Sequence, residues 1–470
     1  LTPPLWTSRE LSEATGGTFS IPFDAAGVSI DTRTLTSGDL FVALVGEGRD
    51  GHAFVADALA KGAAGVMVHA PVSPGQPAIQ VDNTLTALAR LGGFARARFG
   101  AADPTARLVA VTGSVGKTTT KEMLRTALPA FGTVHASVAS YNNHWGLPLT
   151  LARIPRDAKF CVVEIGMNHA GEIAPLARLA RPHVAMITTI AKAHIGHLGG
   201  IDAIADEKAS IMSGLANDGV AVLPADSPQF PRLRAAAGNV RIITFGADPA
   251  ADVRLLHTDA DADGSLMHVS VAGRMLSLRL SAAGRHMVMN AVACLAAIAA
   301  LGLDPTEAIG PLESFEPLVG RGARRSLAIG RGTALLLDES YNGNGASVRA
   351  ALDVLRLQPA KRRIAVLGDM LELGGEGPAE HAGLAEAVTA SADCLFTCGP
   401  LMRKLFDKVP LRLRGAHAAD SRGLALVVAA SIAEGDAILV KGSLGSGMKC
   451  VVEAIDATAA RSSTAAMGTG

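Results

Sequence analysis

A lysine followed by three threonines, Gly116-Lys117-Thr118-Thr119-Thr120, is the first place where this sequence can do chemistry. Thr112-Gly113-Ser114-Val115 before it supplies a tight turn. Residues 108–111 read as a buried parallel strand, and Met123, Leu124, Ala127, Leu128 and Phe131 mark one apolar face of a following helix. Strand, glycine turn and helix together form a phosphate cradle. In it, the backbone N–H groups from Gly113 to Thr119 and the positive helix end face the phosphates. Lys117 reaches the terminal phosphate and Thr118 holds Mg²⁺. An ordinary strand-to-helix turn is the bland alternative, and the first glycine of the usual pattern would fall at Val111.

Other reactive groups are read one by one. The apolar run 160–166 carries Glu164, placed by the pattern at a strand's carboxyl end. Ligands of parallel sheets bind there, and a nucleotide site needs a further Mg²⁺ contact beside its glycine turn. A solvated turn is the competing reading. His194 and His197 lack a third histidine or a cysteine at ligand spacing, which argues against zinc. Lys208, in a helix over 201–215, reads as a solvated surface lysine. Asn290 opens an apolar stretch over 290–303, as a helix cap or as an amide that reads a base. Asp31, Arg33, Asp50 and His52 sit in polar turns.

The elements around these residues predict an α/β protein of three domains. Residues 1–102 form a small N-terminal α/β domain. Residues 103–312, opening at Asp103-Pro104, form a central parallel-sheet ATPase domain. Residues 313–470 form a Rossmann-like domain. In the last, Asp338-Glu339-Ser340-Tyr341-Asn342, Gly368-Asp369 and Lys441-Gly442-Ser443 each follow a strand, where a doubly wound sheet places its site. A helix is expected over 378–391, and the Ser/Thr/Ala/Gly-rich tail from Ala457 is expected to fray.

Composition narrows the partners. Lys plus Arg and Asp plus Glu both number 43, so bulk charge does not favour a nucleic-acid partner. Five scattered cysteines suit a reducing compartment, and the spacing of Cys394 and Cys398 does not suit zinc. The longest apolar stretch is too short to span a bilayer, and no basic-then-apolar leader opens the chain. A cytoplasmic protein without membrane insertion is expected.

Taken together the motifs resemble the Mur ligases. They are Asp31-Thr32-Arg33 with Gly38-Asp39-Leu40-Phe41, Asp50-Gly51-His52, the turn around Lys117, Asn142-Asn143 with Gly146-Leu147-Pro148, and Glu164-Ile165-Gly166-Met167. Glu207-Lys208, Gly284-Arg285-His286 with Asn290, Gly320-Arg321, Ser340-Tyr341-Asn342, Gly368-Asp369-Met370 and Lys441-Gly442-Ser443 complete the set. Tyr341-Asn342 and Gly368-Asp369 favour the branch that joins D-alanyl-D-alanine to UDP-N-acetylmuramoyl-tripeptide. The resemblance implies ATP, two Mg²⁺ ions, a carbamylated Lys208 as metal ligand with His194 beside it, and a monomer. It also implies Asn142 at the nucleotide, Asn290 at the adenine and Arg321 crossing from the last domain to the terminal phosphate. Asp338, Glu339, Tyr341 and Asn342 would line the cleft; Thr32, Arg33, Asp50, Gly51 and His52 would hold the UDP-sugar. This sequence departs from the pattern at Met287, where asparagine is frequent, at Glu339, where aspartate is usual, and at Leu444, where arginine is common. Two rivals remain, a folylpolyglutamate synthase type of ligase and a P-loop switch ATPase. The N-terminal Asp-Thr-Arg and Gly-Asp-Leu-Phe pattern counts against the first.

Overall fold

The computed structural model describes residues 3–46, 48–138, 140–192, 195–330 and 332–467. Three sheets succeed one another along the chain, with a two-stranded ribbon at Val45–Gly46 and Arg49–Asp50. The first has five strands, of which Gly27–Ser29, Asp39–Val42, Gly65–Val68 and Ala78–Gln80 run parallel. Helix Thr84–Ala102 closes it, started by the Asn83 side chain, which accepts from the Thr86 N–H.

The second sheet has nine strands. Arg107–Thr112 lies between Phe160–Glu164 and Val184–Ile187, parallel to both. Its side chains alternate between two cores. Leu108 and Ala110 pack with Cys161, Val163 and Ile187 on one face. Val109 and Val111 pack with Val162 and Met186 on the other, beneath helix Arg285–Ala300. Burial on both faces explains why the strand reads as an unbroken apolar run. It also accounts for Val111 standing where a glycine would be usual, since its side chain fills core inside the strand. The alanines of helix Arg285–Ala300 let it lie close on the sheet. That helix starts at Arg285 with Gly284 as its N-cap, so Asn290 sits in its second turn; it is not a cap, and the helix begins five residues before the expected stretch.

The third sheet has six strands, in the order Ala323–Ile329, Gly332–Glu339, Asp436–Lys441, Arg362–Gly368, Cys394–Cys398, Arg414–Ala418. All pairs are parallel except the first. The helix expected over 378–391 is two helices, Gly377–Ala382 and Ala385–Ser391, broken at Gly383-Leu384. The tail expected to fray is helical through Met467.

Side-chain contacts join the units. The Trp6 indole N–H donates to the Ala152 carbonyl at 2.9 Å and Arg153 Nε to the Val28 carbonyl at 2.6 Å. Lys192 Nζ lies 2.8 Å from a Glu376 carboxylate oxygen and 3.0 Å from one of Glu380, tying the second unit to the third.

Candidate active site

Thr112 ends its strand inside the sheet, and the chain then turns at Gly113 (φ +146°) and Gly116 (φ +88°) into helix Lys117–Ala127. A Cβ at Gly113 would lie 2.0 Å from Thr188 Oγ1, and one at Gly116 would lie 2.4 Å from Asn290 Oδ1. Only glycine fits either place. The Ser114 N–H donates to the Thr189 carbonyl at 2.8 Å and its hydroxyl to the Ala191 carbonyl at 2.9 Å, while the Val115 N–H donates to Thr189 Oγ1 at 3.1 Å. The turn is thus braced from behind by the segment that follows strand Val184–Ile187.

Lys117 folds back over the turn, its Nζ donating to the Gly113 carbonyl at 2.8 Å. Burial pushes its pKa below the usual lysine value; the nearby Glu164 opposes this and Arg321 adds to it. A polyphosphate entering here would meet a cation with little competing water. The Thr118 hydroxyl donates to Glu164 Oε2 at 2.7 Å, and the Asn142 amide donates to Glu164 Oε1 at 2.7 Å. Glu164 is 1% exposed and aligned with Val111 in the sheet, so the strand register sets it beside the turn.

This donor set fits Mg²⁺. The cluster offers hard oxygens, a hydroxyl and a carboxylate, and the described residues hold no group of three or more His, Cys, Asp or Glu able to bind a metal alone. Mg²⁺ bound through one or two protein oxygens, with phosphates and waters completing the octahedron, needs no more than that.

Lys208 is 1% exposed, which corrects its reading as a surface group. Burial, then the charge of Lys117, push its pKa well below the usual value against the opposite pull of Glu207 and Glu164. Among the described residues its side-chain amine has no hydrogen bond or ion pair. Its neighbour Glu207 is spent otherwise, accepting from the Gly171 N–H at 2.7 Å and the Ile173 N–H at 2.9 Å at the start of helix Ile173–Ala180. His194 lies outside the described residues, as does the side chain of His197.

A cavity of about 870 Å³ opens over the turn, lined by residues of the second and third units. Its walls include Ser114 to Thr119, Asn142, Glu164, Asn290, Arg321, Glu339, Tyr341 and Asn342. Arg321 donates to Ser140 Oγ at 2.8 Å and lies 4.3 Å above the centre of the Tyr341 ring. Glu339 pairs with Lys441 at 3.1 Å, and the same ammonium donates to the Asn342 carbonyl at 3.0 Å. Asp338 is buried behind the wall, holding the Ser340 N–H and hydroxyl at 3.1 and 2.7 Å. Asn290 lies against Gly116, at the glycine turn. Met287 and Leu444 both line the cavity.

Thr32, Arg33, Asp50, Gly51 and His52 lie outside this cavity, in the first unit. Arg33 pairs with Asp31 at 2.6 Å. His52 Nδ1 meets Asp50 at 2.6 Å, and its Nε2 accepts from the His69 N–H at 3.1 Å. Sequence reasoning passed over Ser140, whose only signal was its place beside Asn142-Asn143. It also passed over the apolar corner of Pro224, Pro228, Phe245 and Met289, which becomes a site only when distant strand ends meet.

The chain matches three Mur ligase descriptions in succession. Residues 24–94 match the Mur ligase family catalytic domain, 111–298 the Mur ligase middle domain, and 324–444 the Mur ligase glutamate ligase domain. The chain belongs to the Mur ligase family. It is 33% identical to the UDP-N-acetylmuramoyl-tripeptide–D-alanyl-D-alanine ligase of Bacillus subtilis, covering 95% of this chain and 97% of that one. It is 34% identical to the Escherichia coli protein of the same name, over 91% and 93% of the two chains. Among solved structures, MurF from Acinetobacter baumannii superposes with a TM-score of 0.83 at 29% identity, over 95% and 98% of the chains. MurF from Thermotoga maritima, solved in complex with ADP, gives 0.77 at 25% identity, over 93% and 98%.

Proposed function

We propose that this chain joins D-alanyl-D-alanine to UDP-N-acetylmuramoyl-tripeptide at the expense of ATP, completing a peptidoglycan precursor. It is an ATP-dependent amide-forming ligase of its family. The observation that carries the reading is the meeting of Lys117, Thr118, Glu164 and Arg321 at one cavity walled by two units.

In the proposed reaction the tripeptide's carboxylate oxygen attacks the γ-phosphorus of ATP. An O–P bond forms, the bond to the β-phosphate oxygen breaks, and ADP leaves. The amine of D-alanyl-D-alanine then attacks the acyl phosphate carbonyl. Its proton is lost, and inorganic phosphate departs as the amide forms. Carboxylate and triphosphate repel one another, so the chain supplies positive charge. Lys117 and the helix N-terminus hold the phosphates, and Arg321 faces the terminal one. Thr118 and Glu164 would hold Mg²⁺, which supplies charge neutralisation when bound. Lys208, a buried amine whose pKa burial lowers, is suited to take up CO₂ as a carbamate and become an anionic ligand for a second ion. Tyr341, Glu339 and Asn342 border the acceptor side. The N-terminal cluster of Thr32, Arg33, Asp50, Gly51 and His52 holds the UDP end. Bringing the third unit over the second excludes water from the acyl phosphate.

No helix among the described residues is long and apolar enough to cross a membrane. With five free cysteines, four of them raised in pKa by burial, this supports a reducing cytoplasm as the compartment. The test is incubation with ATP, UDP-N-acetylmuramoyl-tripeptide and D-alanyl-D-alanine. Phosphate release is expected only with the tripeptide present, and pentapeptide only with both. Phosphate release indifferent to both substrates would favour a switch ATPase instead.

A further inference from the structure

Ser140 occupies a junction that none of the motifs accounts for. Its hydroxyl accepts from Arg321 at 2.8 Å and lies 3.4 Å from Thr118 Oγ1. The Thr118 proton is already committed to Glu164. Arginine can only donate, so the direction of each bond follows. Arg321 donates to Ser140, Ser140 to Thr118, and Thr118 to Glu164, which also accepts from Asn142. Thr118 keeps one lone pair for a cation, and its orientation is set from both sides. The Arg321 guanidinium carbon also lies over the Tyr341 ring, 4.3 Å from its centre. The backbone supports this stack, since the Tyr341 N–H donates to the Gly320 carbonyl at 3.2 Å and Gly320 takes φ +77°.

We propose that Ser140 and Tyr341 are positioning residues that hold Arg321 over the phosphate cradle, with Ser140 coupling it to Thr118. A long flexible arginine brought in from another unit would otherwise sample many rotamers, most of them away from the phosphates. The hydrogen bond to serine and the contact over the tyrosine ring together restrict where the guanidinium can lie. Tyr341 on this account acts through its ring rather than by a hydroxyl contact to substrate. The inference rests on the reading that Arg321 faces the nucleotide's terminal phosphate, and it leaves the identity of the acceptor open.

The test is a double-mutant cycle on calorimetric binding of Mg²⁺·AMP-PNP to the full chain, with circular dichroism as the folding control. Ser140→Ala is expected to weaken binding about fivefold, and to change it less than about twofold once Arg321→Ala is present. Tyr341→Leu is expected to weaken binding about threefold, and Tyr341→Phe to restore most of that loss. Ser140→Thr, which keeps the hydroxyl, is expected to retain most of the affinity. Independent, multiplying effects of Ser140→Ala and Arg321→Ala would overturn the coupling. A Tyr341→Phe protein as weak as Tyr341→Leu would overturn the stacking role. If the cycle couples but no amide forms from the two substrates, the proposed ligase reaction fails and this inference stands.

Discussion

Two lysines, Lys121 and Lys208, are almost fully buried, and they are opposites. Lys121 is 0% exposed within helix Lys117–Ala127; it donates to the Ser137 carbonyl at 2.7 Å and pairs with Glu122 at 2.7 Å. Glu122 is shared with Arg125 at 2.6 Å, so the cluster is locally complete. Lys208 is 1% exposed, sits beside a second cation and has lost its neighbour Glu207 to a helix end. A buried amine with partners holds structure together. One without such partners holds its proton less firmly, because burial disfavours the charged form. Within one unit of the molecule the same side chain is thus set in two opposite surroundings, one of which suits the role proposed for Lys208.

The comparison breaks most visibly by removing each amine in turn. Lys208→Ala should cut turnover about a thousandfold with the far-UV circular dichroism unchanged, and short carboxylic acids should restore part of it. Full activity in that protein would show that Lys208 is passive. Lys121→Met should do the reverse. Leaving the Ser137 carbonyl unpaired and Glu122 half-paired should lower unfolding free energy in urea by about 3 kcal/mol, with kcat of the folded fraction changed less than about twofold. Glu164→Gln keeps the shape but removes the charge that Thr118 and Asn142 address. Its apparent Mg²⁺ affinity in steady-state titrations should fall about ten- to a hundredfold.

The pH dependence of Lys208 sharpens the contrast further. Burial holds its folded-state pKa well below the ordinary lysine value, so in the window between the two the unfolded chain binds a proton that the folded chain lacks. Stability of the unmodified protein therefore rises with pH across that window. Lys208→Met should abolish this slope in urea midpoints measured at several pH values. If the proposed carbamate forms, activity should follow the same sign, because an ammonium cannot take up CO₂. Added bicarbonate should raise turnover of CO₂-depleted enzyme severalfold at a fixed pH. The smallest effect is expected at Leu444, which lines the cavity at 65% exposure; Leu444→Arg should change the KM for ATP within about threefold.

What could be read before folding was what is local. The turn around Lys117 was legible because strand, glycines and helix are contiguous, and the geometry matches that order. Glu164 was legible because an unbroken apolar run of that length implies a central parallel strand. Lys208 was not, since its helix carries Asp202, Asp206 and Glu207 and its pattern looks half solvated; burial comes from strands and helices far away in sequence. The position of Asn290 was misread because its helix opens with Arg285 and His286, polar residues that hid the true start. Short edge strands, Val134–Ala136 and Arg414–Ala418, carry no apolar run to announce them. Ser140 gained its meaning from Arg321, which arrives 181 positions later.

The central claim is that the phosphoryl group held at Lys117 passes to a carboxylate. Tripeptide substrate labelled with ¹⁸O in its terminal carboxylate, turned over with unlabelled ATP and D-alanyl-D-alanine, tests it directly. One ¹⁸O per turnover is expected in the released phosphate, because the acyl phosphate bridges through that oxygen. Phosphate carrying no label while amide accumulates would contradict it.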